Sequence, residues 1–241
     1  MNKTARQVYD MLINEYHIKS LHGLIRFHLG DVVISVKKKD VVGNIIQEWV
    51  ESWLQAKGIS YMANPCTQMP PDVFLNPRDK TSDLLEIKAF NRKSSPAFDI
   101  ADFKSFVREI IQHPYYLDTD FLIFGYTMDS QNGDVVIKDL WLKKIWEITR
   151  PMDNWPITCQ YKNGVLQKMR PGTWYGNSRQ FKFFENKEDY LSALEETIYK
   201  CRETRDMAEG WRNAFCKSYK NHYNADIDFP YWARIKGRYI F

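Results

Sequence analysis

Three charged side chains sit where apolar strands should be. In PPDVFLNPRDKTSDLLEIKAF, residues 70–90, Asp72 opens one apolar run, and Glu86 and Lys88 interrupt a second. VFL and LLEIKAF read as short buried strands joined by a polar turn of Asn, Pro, Arg, Asp and Lys. Side chains alternate along a strand, so Glu86 and Lys88 share one face while Ile87 points to the other. If the two runs pair as a hairpin, Asp72 lies near the end of the second strand, and two carboxylates meet an ammonium at one edge of a sheet. Two carboxylates with open positions between them suit Mg²⁺, which prefers oxygen ligands and keeps several of its waters. Lys88 beside them could hold the attacking water or help deprotonate it. Such a group can hydrolyse a phosphodiester, the metal polarising the phosphoryl oxygens and steadying the leaving oxygen. The ordinary alternative is a cross-face ion pair on an edge strand. Leu84-Leu85 before the pair and Ala89-Phe90 after it argue against a casually solvated strand, because an unneeded charge among apolar neighbours is costly.

The flanking chain supplies elements that could position this group. TARQVYDMLINEY has helical spacing, with Thr4 as its N-cap. LIRFHL and DVVISV predict a hairpin around Gly30. Asp40 is read as the cap of a second helix, DVVGNIIQEWVESWLQAKG, which Gly58 ends. After the charged strand come an amphipathic helix, DIADFKSFVREIIQH, stopped by Pro114, and two strands, TDFLIFGYTM and GDVVIKDLWL. ITCQY-KN-GVLQKM predicts a hairpin turning at Asn163-Gly164. Residues 187–220 are strongly helical, with a break near Gly210. This order gives an α/β (α+β) chain around a central mixed β-sheet flanked by helices. No linker marks a boundary, so residues 1–241 read as a single domain.

Pro71-Asp72 followed after a short turn by Glu86-Ile87-Lys88 resembles the motif of the PD-(D/E)XK nucleases, a superfamily that includes many type II restriction endonucleases. The resemblance covers residues 40 to about 126, including the helix before the motif and the helix and strand after it. It implies a restriction-endonuclease-like fold, with Asp72 and Glu86 binding Mg²⁺ and Lys88 assisting the attacking water. The family often adds an acid from the preceding helix. Glu48 is the candidate for catalysis and metal binding, with Asn44 one turn before it on the same face. Aligned without gaps from the helix-ending glycine, the chain resembles EcoRV, whose helix glutamate falls on Gly43. Glu48 lies more than a turn later, so a solvated helix glutamate is its alternative. VVGNIIQEW, LLEIKAF and DTDFLIFGY together resemble the NgoBV/NlaIV group, which implies cleavage at GGNNCC.

Composition agrees with a polyanionic partner. The formal net charge of +4 arises in residues 200–241, where nine Lys/Arg face five Asp/Glu. Residues 162–182 hold five Lys/Arg and no acid. No apolar run approaches the ~20 residues of a membrane span, so a cytoplasmic protein with no membrane partner is expected. The four cysteines have no CxxC spacing and read as free thiols.

A restriction enzyme rejects wrong sequences chiefly at base edges in the major groove. A loop near residues 170–182, before the basic helical part at 187–241, offers Arg170, Thr173, Asn177, Ser178, Arg179 and Gln180. The resemblance to EcoRV-like enzymes implies major-groove reading there, and an approach to the minor groove by the 64–71 loop through Thr67 and Gln68. For any one residue of the basic loop, a phosphate contact is the alternative. Lys93, Ser94 and Ser95 follow the charged strand and could hold the scissile phosphate. A palindromic site implies a homodimer. The sequence reading is thus an Mg²⁺-dependent, sequence-specific double-stranded DNA endonuclease leaving 5′-phosphate and 3′-hydroxyl ends. Two rivals are a repair or recombination nuclease on the same fold and a non-catalytic DNA-binding protein.

Overall fold

A computed structural model describes residues 1–66, 70–177 and 180–241. Thr67, Gln68, Ser178 and Arg179 lie outside the described residues. In chain order the elements begin with α1 (Ala5–Asp10), β1 (His22–Leu24), β2 (Arg26–Leu29), β3 (Val32–Ser35), α2 (Val42–Ala56), β4 (Met62–Ala63), β5 (Val73–Phe74) and β6 (Leu84–Asn91). There follow β7 (Ala101–Asp102), α3 (Phe103–Gln112), β8 (Asp120–Met128), β9 (Asp134–Lys143), α4 (Ile145–Ile148), β10 (Cys159–Lys162) and β11 (Val165–Met169). The last are α5 (Lys187–Lys200), α6 (Arg205–Ala208), α7 (Trp211–Tyr223) and α8 (Trp232–Ile235). The chain divides into two compact units, and the first comprises residues 1–64, 71–96 and 120–143.

The first unit is built on a six-stranded mixed sheet in the order β1-β9-β8-β6-β5-β4. β6 pairs parallel with β8 and antiparallel with β5, whose register sets Val73 against Leu85 and Phe74 against Leu84. The helices fold as their signals dictate. Thr4 Oγ1 accepts from Gln7 N at 3.2 Å while Gln7 Oε1 accepts from Thr4 N at 3.1 Å, a reciprocal cap. α1 then continues through a π-helical turn at Met11–Glu15. Val8 and Leu12 from this segment, and Ile46, Val50 and Leu54 from α2, enter one core with Leu85, Ile87, Leu122 and Phe124 of the sheet. Gly58 ends α2 in the left-handed region, as predicted. Asp40 does not cap it. A 3₁₀ turn at Lys39–Val41 precedes the helix, and the N-cap is Val41, without a side-chain cap. The Lys39 carbonyl is held by the Tyr126 hydroxyl at 2.9 Å, which fixes the chain in that turn.

The second unit comprises residues 65–70, 97–119 and 144–241. It contains a three-stranded sheet, β10-β11-β7, in which Asn163 and Gly164 both take positive φ to close the predicted hairpin. Asp102 caps α3 by accepting from Ser105 N. The long C-terminal helical stretch is broken twice, after Lys200 and at Gly210. Its aromatics are structural. Trp211 stacks on Phe215 and donates from Nε1 to the Val107 carbonyl at 2.8 Å, while Phe229, Trp232 and Tyr239 are buried. The basic tail thus spends its aromatic side chains on a core, and only its cations face solvent. Among the described residues, no helix is long and apolar enough to cross a membrane.

Candidate active site

The β5–β6 register, carried one step further, sets Asp72 beside Glu86. Asp72 Oδ2 accepts from the Ile87 amide at 2.7 Å, which ties the carboxylate to the neighbouring strand. Asn64 fixes the approach to it. Its backbone amide donates to the Asp72 carbonyl at 2.8 Å, and its side-chain amide donates to the Pro71 carbonyl at 2.8 Å. Nothing in the sequence marks Asn64 for this task beyond its place in a proline-rich turn.

Glu86 is 4 % exposed. Its Oε1 lies 2.6 Å from Lys88 Nζ, so the two side chains predicted to share a face do meet. Its other oxygen, Oε2, is buried and has no hydrogen-bond partner among the described residues. Burial pushes the Glu86 carboxyl up to about 7. Lys88 pulls it down, and the neighbouring Asp72 charge raises it. Asp72 is also raised, by burial first, with Lys88 and the Ile87 amide opposing. An orphaned buried oxygen is costly unless something occupies it. The donors here are carboxylate oxygens, so the group fits a hard divalent cation that completes its shell with water. Among the described residues, no three His, Cys, Asp or Glu side chains gather as a ready metal cage. The set is therefore Asp72 and Glu86, with Lys88 holding one oxygen of Glu86.

The helix acid differs from the one the sequence singles out. Asn44 and Glu48 are exposed on α2, whereas Glu51 is half-buried. Burial raises the Glu51 carboxyl, a hydrogen bond with Gln47 lowers it, and the charges of Asp72 and Glu48 raise it again. Glu51 is thus the α2 carboxylate that feels Asp72, and sequence reasoning passed over it. Its spacing from Gln47, one helical turn, was the available signal. Further along the same unit, Lys93, Ser94 and Ser95 are exposed in a turn that Asn91 organises. Asn91 Oδ1 accepts from Lys93 N at 2.9 Å, and its carbonyl accepts from Ser94 N at 3.0 Å.

In the second unit, the proposed reading loop is partly committed to the protein itself. Arg170 pairs with Asp99 at 2.9 Å and donates to the Ala97 carbonyl. Gln180 donates to Asp153 at 2.7 Å. Thr173 accepts through its carbonyl from Gly176 N, and Asn177 is exposed.

A mixed sheet flanked by helices, carrying buried Asp, Glu and Lys side chains on adjacent strands, defines a nuclease of the restriction-endonuclease class, which generally needs a divalent metal ion. The model of the NgoBV restriction endonuclease family matches residues 2–239. The chain is 55% identical over 237 residues to the type II restriction enzyme NlaIV of Neisseria lactamica, covering 98% of this chain and 97% of that protein. It is also 55% identical over 159 residues to the type II restriction enzyme NgoBV of Neisseria gonorrhoeae, covering 66% of this chain and 90% of that protein. A solved structure of NlaIV restriction endonuclease superposes with a TM-score of 0.96 at 54% identity, covering 100% of this chain and 98% of that one. The chain belongs to the NgoBV restriction endonuclease family. Its activity is that of a restriction endonuclease, sequence-specific cleavage of DNA.

Proposed function

We propose that this protein is an Mg²⁺-dependent homodimeric endonuclease that cuts both strands of a palindromic site, GGNNCC, leaving 5′-phosphate and 3′-hydroxyl ends. The observation that carries the metal assignment is the buried, unpartnered Oε2 of Glu86 beside Asp72. When bound, Mg²⁺ supplies Lewis-acid polarisation of the scissile phosphoryl group. The other steps belong to the chain. Asp72, steadied by the Ile87 amide and by Asn64, and Glu86 present the oxygens that hold the cation. Lys88 keeps Glu86 oriented and stands where it can hold the attacking water and ease its loss of a proton. Water attacks phosphorus as the bond to the 3′-oxygen breaks, and the departing oxygen takes a proton. Glu51 tunes the charge around Asp72, Glu48 serves as an outer acid of the same helix, and Lys93, Ser94 and Ser95 offer donors to the phosphate. Arg170, Thr173, Asn177 and Gln180, with Ser178 and Arg179 outside the described residues, are proposed to contact DNA, as are Thr67 and Gln68. The GGNNCC assignment rests on the sequence likeness to the NgoBV/NlaIV group.

The test is digestion of a long, unmethylated DNA of known sequence with Mg²⁺, beside an Asp72→Ala control, with the fragment ends sequenced. Discrete fragments ending within GGNNCC, absent from the control, are expected. Intact DNA with folded protein and metal present would refute the enzymatic reading, and a smear would refute the site assignment.

A further inference from the structure

The β2–β3 hairpin has an apolar face with nothing on it. Its register pairs Phe27 with Ile34 and Leu29 with Val32, while Arg26 pairs with Ser35 and His28 with Val33. Side chains opposite each other share a face, so the first four build one apolar side and the second four a more polar one. Phe27, Leu29, Val32 and Ile34 are 53%, 72%, 63% and 51% exposed. A lone two-stranded ribbon is marginal in water, and such a segregated face is a device for packing against something. The ribbon rises from a second apolar feature. Ile25, whose carbonyl accepts from Val36 N at 2.8 Å at the ribbon's base, also lines a cavity of about 220 Å³ with Leu21, Leu24, Ile45 and Trp49.

We propose that this ribbon face and the apolar cavity at its base form the interface with a second copy of the chain. The inference rests on the two-strand cleavage proposed above. Each chain carries one Asp72–Glu86–Lys88 set, so cutting both strands of a palindrome calls for two copies related by a two-fold axis. The ribbon face, with Leu21, Leu24 and Ile45, presents roughly 600 Å² of exposed side chain per copy, which reaches the lower end of a standard interface. A two-fold contact brings the same patch from each copy together, so an apolar patch is complementary to itself. Duplex DNA is the poorer occupant. The apolar face offers a polyphosphate no cation, since Arg26 and His28 lie on the opposite face.

Sedimentation velocity of the free protein tests this directly. The unmodified chain is expected to sediment as a dimer. Leu29→Lys combined with Ile34→Lys should weaken dimerisation ~10²-fold or more, because each change enters a two-fold interface twice. Val33→Lys, on the polar face, should remain dimeric. Thermal melting shows whether the variants stay folded. Hydrogen exchange on the unmodified chain needs no variant, since the amides of residues 26–35 should gain protection as concentration rises. A monomeric unmodified protein, or a Leu29/Ile34 variant that still dimerises, overturns the proposal. So does a ribbon protected only when DNA is added. A monomer that cuts GGNNCC defeats this interface and spares the nuclease reading, whereas a ribbon-dependent dimer that leaves DNA intact supports the interface and defeats the reading.

Discussion

Lys88 Nζ lies 2.6 Å from one oxygen of Glu86, while the other oxygen of the same carboxylate is buried without a partner. The pair is therefore asymmetric. One oxygen is held in place by the protein, and the second is left for a ligand that the protein does not itself supply.

Lys88→Met tests the lysine's part. It keeps much of the side-chain volume and removes the ammonium, leaving Glu86 as an unpaired buried acid. Cleavage should fall by ~10³-fold or more, since charge stabilisation at a metal-assisted phosphoryl centre is worth several kcal/mol. Single-turnover rates on a duplex carrying one site measure this. A rate within tenfold of the unmodified protein would remove Lys88 from the chemistry.

Acidity offers a second handle. The Glu86 carboxyl stands at about 7 against an ordinary 4.5, with Asp72 and Glu51 raised as well. The metal-free folded protein thus holds protons that the unfolded chain has lost, so its stability falls as pH rises between those two values. This contribution is fully present below about pH 4.5 and is lost as pH passes about 7. Melting temperatures in a chelator, taken from pH 5 to 8, should therefore decline, and Glu86→Gln should flatten the slope. Mg²⁺ should restore stability at the high end, because only the carboxylate form holds the cation. An equally steep slope in Glu86→Gln would place the titration elsewhere.

Glu51 and Glu48 can be separated by parallel amide substitutions. Glu51→Gln removes the α2 charge that acts on Asp72 and should lower cleavage at fixed Mg²⁺ by about tenfold, with a shift in its pH profile. Glu48→Gln, on the exposed side, should change it by less. The reverse order would return the role to Glu48.

Gly125 supports the sheet face beyond the site. A Cβ there would stand 2.6 Å from Arg92 Cδ and 2.9 Å from the Trp141 ring. Arg92 cannot easily withdraw, since it is bonded to Asp139 at 2.6 Å and lies over Trp141. Gly125→Ala should destabilise the protein by ~1–3 kcal/mol, as overpacking does. Urea unfolding measures the loss, and a neutral result would show that Arg92 is free to move.

The acids and lysine of the site were legible because strand alternation and hairpin pairing are local rules, and Asp72, Glu86 and Lys88 obey both. Thr4, Gly58 and Asn163-Gly164 were legible for the same reason, each being a signal read within a few residues. Glu51 was not. Which carboxylate of a helix feels a given strand depends on how that helix is rotated against the sheet, and Val50, Trp53 and Leu54 settle this only once they are packed. Asp40 failed as a cap because a distant hydroxyl, that of Tyr126, holds the preceding turn. The tail's aromatics looked available for stacking on bases, yet Phe229, Trp232 and Tyr239 are inside.

The parallel pairing of β6 with β8 has a consequence for the order of events during synthesis. Hairpins close early because their partners are near in sequence, and Asp72 can find Glu86 as soon as both have left the ribosome. β6 must then wait for the whole connection through α3 before Phe121 and Ile123 arrive opposite Glu86 and Lys88. Until that moment the charged strand has an open edge on one side. The nascent chain therefore acquires its catalytic residues well before it acquires the strand that holds them rigid, and the competence to cut is set by the later event.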